Sequence, residues 1–161
     1  LVGSEMCIRD RGYKIAYERW GTIELESGEL DFEDGILTGG NFAVDMTTIQ
    51  VTSLEGGKKA NLEKHLRSDD FFGVKQFPNA SMVITRVKKT ANGYTVTGDF
   101  TIKGQTHPVI FPMTIDGNMA IAKVKIDRSK YNVRYGSDSF FDNLGNRAIY
   151  NEFDLNVTLT F

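Results

Sequence analysis

The residue types that could do chemistry gather in HLRSDDFFGVKQFP, residues 65–78, which holds one of only two histidines in the chain. His65 stands just before Asp69 and Asp70, and a histidine paired with a carboxylate can take up and release a proton near neutral pH. The same stretch could instead be a structural joint. Adjacent acids turn a chain or cap backbone amides, and Phe71, Phe72 and Phe77 could anchor it against a core.

Other chemistries find less support. A metal centre needs three or four convergent ligands, whereas His65 and His107 have no HxxxH or HxH partner. Cys7 is the only cysteine, so an internal disulfide and multi-cysteine redox motifs are excluded. There is no GxSxG elbow and no GxxxxGK[ST] or GxGxxG loop; Gly39-Gly40 and Gly56-Gly57 read as bends. Asp45, Asp99 and Asp127 read as members of a solvated outer face. Neither a metal nor a cofactor is therefore expected, and His65 with Asp69 or Asp70 is the one candidate for an enzyme.

The elements that must position these residues are strands. From Tyr13 onward apolar and polar residues alternate at period two, the pattern of half-buried antiparallel strands. In FDLNVTLTF, Phe153, Leu155, Val157, Leu159 and Phe161 share one face. Runs at 13–19, 22–32, 36–49, 81–89, 94–103, 107–116, 119–127 and 153–161 give eight strands, with Asp34-Gly35, Asn92-Gly93 and Asp116-Gly117 as tight turns. The expected fold class is all-β, a single antiparallel eight-stranded barrel, and eight strands suffice to enclose one small ligand. KKANLEKHL at 58–66 predicts a short helix between the third and fourth strands. The aromatic-rich connection SDSFFDNLGNRAIYNEF at 137–153 does not alternate, and its large apolar groups should cover something.

At 161 residues the chain suits one domain that removes roughly 70% of its unfolded surface from water. A net charge of −2 gives no broad phosphate-binding surface, so nucleic acid is not an expected partner. No apolar run reaches bilayer-spanning length. LVGSEMCIRDR, residues 1–11, does not share the later patterning and reads as a non-native segment, leaving 12–161 as the domain.

Alternation turns Ile23 and Leu25, Phe42, Val44 and Met46, Met82 and Ile84 toward the barrel interior. Phe100 and Ile102, Val109, Phe111 and Met113, Val124 and Ile126, and Leu155 and Val157 follow on the later strands. These side chains either line a cavity or pack the barrel shut. Met and Phe offer adaptable, broad surfaces suited to a flexible apolar ligand.

The order of WGTIELESGEL, GGNFAVDMTTI, NLEKHLRSDDFFGVKQFPNA, YTVTGDFTIKGQTHPVIFP and KVKIDRSKYNVRYGS resembles the YceI family, bacterial proteins with a lipocalin-like barrel. The likeness extends from about Trp20 to Phe161. Its most specific parts are the HLxSxDFF run with Phe77-Pro78 and the GDFTIKGQTHP block at 98–108. The resemblance implies a periplasmic or secreted binding protein rather than an enzyme, with a polyisoprenoid such as an isoprenoid quinone, or a similar long-chain amphiphilic lipid, in the interior. The expected ligand-binding residues are Phe42, Val44, Met46, Met82, Ile84, Phe100, Ile102, Phe111, Met113 and Leu155. Phe140, Phe141 and Tyr150 of the aromatic-rich connection join them and would narrow the mouth. A polar lipid head could meet Arg128 or Arg134, although Asp127 beside Arg128 reads rather as a local ion pair. Relatives begin with a signal peptide and a first strand where residues 1–11 stand, so that strand is expected to be incomplete. A homodimer is left open.

Overall fold

A computed structural model of the chain describes residues 19–135 and 151–161. They form one antiparallel sheet whose seven strands neighbour one another in sequence order. The strands are β1 (Gly21–Glu33), β2 (Ile36–Val51), β3 (Asn79–Thr90), β4 (Gly93–Ile102), β5 (Gln105–Asp116), β6 (Met119–Asp127) and β7 (Glu152–Thr160). Helix α1 (Gly56–Arg67) joins β2 to β3, and a 3-10 turn (Arg128–Tyr131) follows β6. The expected first strand, 13–19, lies outside the described residues except for Arg19, so the eight-stranded barrel becomes, among the described residues, a seven-stranded partial barrel. The helix falls where expected but is longer than the 58–66 read from helix formers. Most of the aromatic-rich connection also lies outside the described residues.

Turn chemistry sets the hairpins. Asp34 and Gly35 have φ of 52° and 76°, and Lys103 and Gly104 have 50° and 74°. Paired positive φ values match the right-handed twist of the flanking strands. Sequence patterning misses the second turn because lysine is an unusual occupant of that position.

The sheet curls because its ladders are interrupted. Register shifts divide the β1–β2 pairing between Thr22 and Glu24, Leu25 and Ser27, and Asp31 and Phe32, and the β3–β4 pairing between Ile84 and Arg86. Each extra residue bends its strand and increases the local twist. The curl brings the two ends of the sheet together: Phe32 of β1 stacks on Phe161, just past β7, with ring centroids 5.4 Å apart. The outward residues of β1 include an exposed row of acids, Glu24, Glu26, Glu29, Asp31 and Glu33.

Helix α1 packs on β2. Leu66 is buried, Arg67 Nη2 donates to the Ile49 carbonyl at 2.5 Å, and Glu63 Oε1 accepts from the Val51 amide at 2.9 Å. Lys64, His65 and Arg67 occupy its last turn, where cations suit the negative end of the helix dipole.

Candidate ligand-binding site

The inward faces of the strands enclose a cavity of about 100 Å³. Its wall draws on every strand: Ile23 and Leu25 from β1, Phe42, Val44 and Met46 from β2, Ala80 and Met82 from β3, and Phe100 and Ile102 from β4. Phe111 and Met113 of β5, Ala122, Val124 and Ile126 of β6, and Phe153, Leu155, Val157 and Leu159 of β7 complete it. Phe72, from the stretch after α1, joins the wall, and Ser81 is the only polar residue among the described residues that line the space. Such a wall offers dispersion and hydrophobic burial but almost no hydrogen bonding, so it suits a hydrocarbon and disfavours a sugar, nucleotide or ion.

Of the residues singled out from sequence, Phe42, Val44, Met46, Met82, Phe100, Ile102, Phe111, Met113 and Leu155 lie on this wall. Ile84 does not. It is buried on the same face of β3, one inward position further along the strand than Met82, without reaching the cavity. Phe140, Phe141 and Tyr150 lie outside the described residues. Val109 packs against the core without reaching the cavity. Sequence patterning passes over Ala80 and Ala122, whose small side chains carry little alternation signal, and makes Phe72 an anchor only.

Glycines shape the wall. Phe42 lies over Gly28, its cross-strand partner, so closely that a Cβ at Gly28 would stand 2.2 Å from Phe42 Cδ1. Met82 pairs with Phe100 but lies diagonally over Gly98, with 2.7 Å from a virtual Cβ there to Sδ. A glycine on the apolar side of a strand often marks such a close approach, and Gly98 does so here. Leu30 and Ile84 both reach Gly40, each 3.3 Å from a Cβ placed there.

The stretch at 65–78 is a joint. Ser68 ends α1, its amide and hydroxyl both donating to the His65 carbonyl at 3.0 and 2.6 Å. Turn bonds follow from Phe71 and Gly73 to the Ser68 carbonyl, and from Phe77 to the Gly73 carbonyl. Asp69 and Asp70 are exposed, while the His65 ring sits against Phe71 and Tyr135, at 5.8 and 4.3 Å between centroids, with Nε2 buried and unbonded. The acid–base pairing of His65 with either aspartate is not formed, and none of the three lines the cavity. Two aromatic rings hold the imidazole in place, and the acids face water.

Cations fasten the joint. Lys103 Nζ, from the β4–β5 turn, donates to the carbonyls of Asp69 at 2.7 Å and Asn132 at 3.2 Å. Burial lowers the pKa of Lys103, against the opposing pull of Asp69 and Asp70. Arg128 is 2% exposed, donates Nη1 to the carbonyls of Val133 and Tyr135 at 3.0 and 2.8 Å, and stands over the Phe71 ring at 5.4 Å. Asp127 instead accepts from the amide and hydroxyl of Ser129, which corrects the expected Asp127–Arg128 ion pair: the carboxylate caps the 3-10 turn and the guanidinium turns inward. Arg134 is exposed and donates Nε to Asn132 Oδ1. The pKa of Tyr131, which stands beside His107, is pushed up to about 12 by burial and by the nearby carboxylates of Asp127 and Asp99.

Curled antiparallel strands around an apolar interior make a lipocalin-like partial β-barrel. The YceI-like domain model matches residues 10–161, and the chain belongs to that family. A UPF0312 protein of Yersinia enterocolitica is 34% identical over 114 residues, 70% of this chain and 55% of that protein. One from Photorhabdus laumondii is 36% identical over 110 residues, covering 68% and 54%. The chain thus spans about half the length of the curated relatives it matches. Among solved structures, Burkholderia cenocepacia BcnA is similar with a TM-score of 0.73 over 98% of this chain and 96% of that one, at 18% identity. The Campylobacter jejuni YCEI protein follows at 0.64, with 17% identity over 93% and 90%. At such identities the likeness shows the fold.

Proposed function

We propose that the chain holds a polyisoprenoid, an isoprenoid quinone for example, or a similar long-chain amphiphilic lipid, with the end of its tail inside the barrel, and carries it in the periplasm or outside the cell. One observation carries the reading: among the described residues the interior is not filled, and what surrounds the remaining space is apolar apart from Ser81. The compartment follows from the family resemblance.

Size limits what the tail alone can do. On the scale where an apolar cavity of about 150 Å³ accepts a benzene ring, the space takes roughly four chain carbons. Four buried carbons contribute about 3 kcal/mol gross, and association costs at least ~4 kcal/mol. The enclosed tail end by itself gives no net affinity. Useful binding therefore needs contacts to the head or to further lengths of chain. A catalytic reading has no such support, because His65, Asp69 and Asp70 do not converge.

The test is organic extraction of the purified protein followed by mass spectrometry, with reloading of the delipidated protein. A stoichiometric lipid, or saturable uptake of an isoprenoid alcohol, is expected. Protein that purifies empty and takes up neither isoprenoid nor straight-chain lipids would overturn the reading.

A further inference from the structure

We infer that Gly28 and Gly98 set how far a tail enters the barrel, by giving Phe42 and Met82 room to lie flat against its wall. The inference rests on the lipid-binding reading and adds to it a residue-level determinant of chain length. Phe42 and Met82 are cross-strand partners on β2 and β3. Neighbours in such a pair normally stand side by side on the sheet face. Here they part: Phe42 leans back over Gly28 on β1, and Met82 leans forward over Gly98 on β4.

The consequence is steric. A methyl group at Gly28 would require the Phe42 ring to move at least about 1.2 Å to restore an ordinary 3.4 Å contact, and one at Gly98 would move the Met82 sulfur about 0.7 Å. The wall lies behind both side chains, so the free direction is into the cavity. Next to them Leu30 and Ile84 both reach Gly40, and neither lines the cavity. Phe42 and Met82 thus bound the cavity on the side of Leu30 and Ile84, and the two glycines fix how far they project into it. In a space of about 100 Å³, raising either removes roughly one or two carbon positions.

Straight-chain alcohols from octanol to hexadecanol, displacing a fluorescent fatty acid from the delipidated full chain, resolve chain length one step at a time. For the unaltered protein, affinity should climb with length and then level off. Gly28→Ala and Gly98→Ala should level off one or two carbons earlier, with about fourfold weaker binding per excluded methylene. Met82→Ala should level off later. If Gly28→Ala does not fold, Gly98→Ala and Met82→Ala decide the matter, because the sulfur end of a methionine yields more easily than a ring. Identical length profiles for all variants, with the unaltered protein binding normally, would overturn this inference and leave lipid binding intact. No binding of any alcohol by the unaltered protein would overturn both.

Discussion

Phe72 meets Phe153 edge-on, with ring centroids 6.3 Å apart, and both rings face the cavity. One belongs to the joint after α1 and the other to the start of β7, segments far apart in sequence. Phe71 extends the cluster, 5.0 Å from Phe72, to the underside of Arg128. The joint is therefore packed into the wall of the site rather than laid over it.

Truncating Phe72, which is 2% exposed, should cost about 3–5 kcal/mol, the usual loss for a buried aromatic changed to alanine. Phe72→Ala should lower the urea midpoint accordingly. It should also speed release of a bound alcohol in stopped-flow displacement. A midpoint within experimental error of the parent would show that the ring is not a structural part of the wall.

Lys103 joins the β4–β5 turn to two other segments through carbonyl oxygens. Lys103→Met keeps much of the aliphatic stem and removes the donors, so about 1–2 kcal/mol of stability should be lost. Hydrogen exchange should accelerate at the amides of Phe71 and Gly73 and leave the middle of β6 unchanged. Equal acceleration everywhere would indicate a global rather than a local role.

Alkaline titration isolates Tyr131. Its folded pKa of about 12 lies above the ordinary tyrosine value of 10.0, so between those values the unfolded chain loses a proton that the folded chain keeps. Stability from this group is complete below pH 10 and falls as pH rises toward 12. Tyr131→Phe should flatten that decline in urea unfolding at about pH 9.5 and 11, relative to the parent, by a margin of about 1 kcal/mol or more. At neutral pH it should cost little, since the hydroxyl's bond to the His107 carbonyl is long at 3.5 Å.

Ala122 lines the cavity and is 4% exposed. Ala122→Leu places three further carbons in the cavity, which should weaken alcohol binding about 50-fold. Thermal stability should hold or rise, because the substitution fills an existing space. Unchanged affinity would place the ligand elsewhere.

Much of the fold and of the candidate site is legible in the residue pattern. Period-two alternation places the seven described strands to within two residues of their observed ends and puts Phe42, Met82, Phe100 and Phe111 on the inner face. Alternation gives a face but no depth, which is why Ile84 reads like Met82 although it does not line the cavity. Arg128 illustrates a second limit. Its neighbour Asp127 suggests a surface pair, and only the folded chain brings the Val133 and Tyr135 carbonyls around the guanidinium. Gly28 carries no signal of its role in the residue pattern, since the ring that rests on it comes from another strand.

The acidic row of β1 bears on how copies of the chain treat one another. β1 is an edge of the described sheet, and sheet edges tend to recruit further strands. Two copies approaching edge to edge would bring Glu24, Glu26, Glu29, Asp31 and Glu33 against the same row, while the three register shifts would keep the edges from lying straight. The same strand that walls the cavity thus carries a charged fender on its outer face, and added salt weakens the repulsion it offers a second copy.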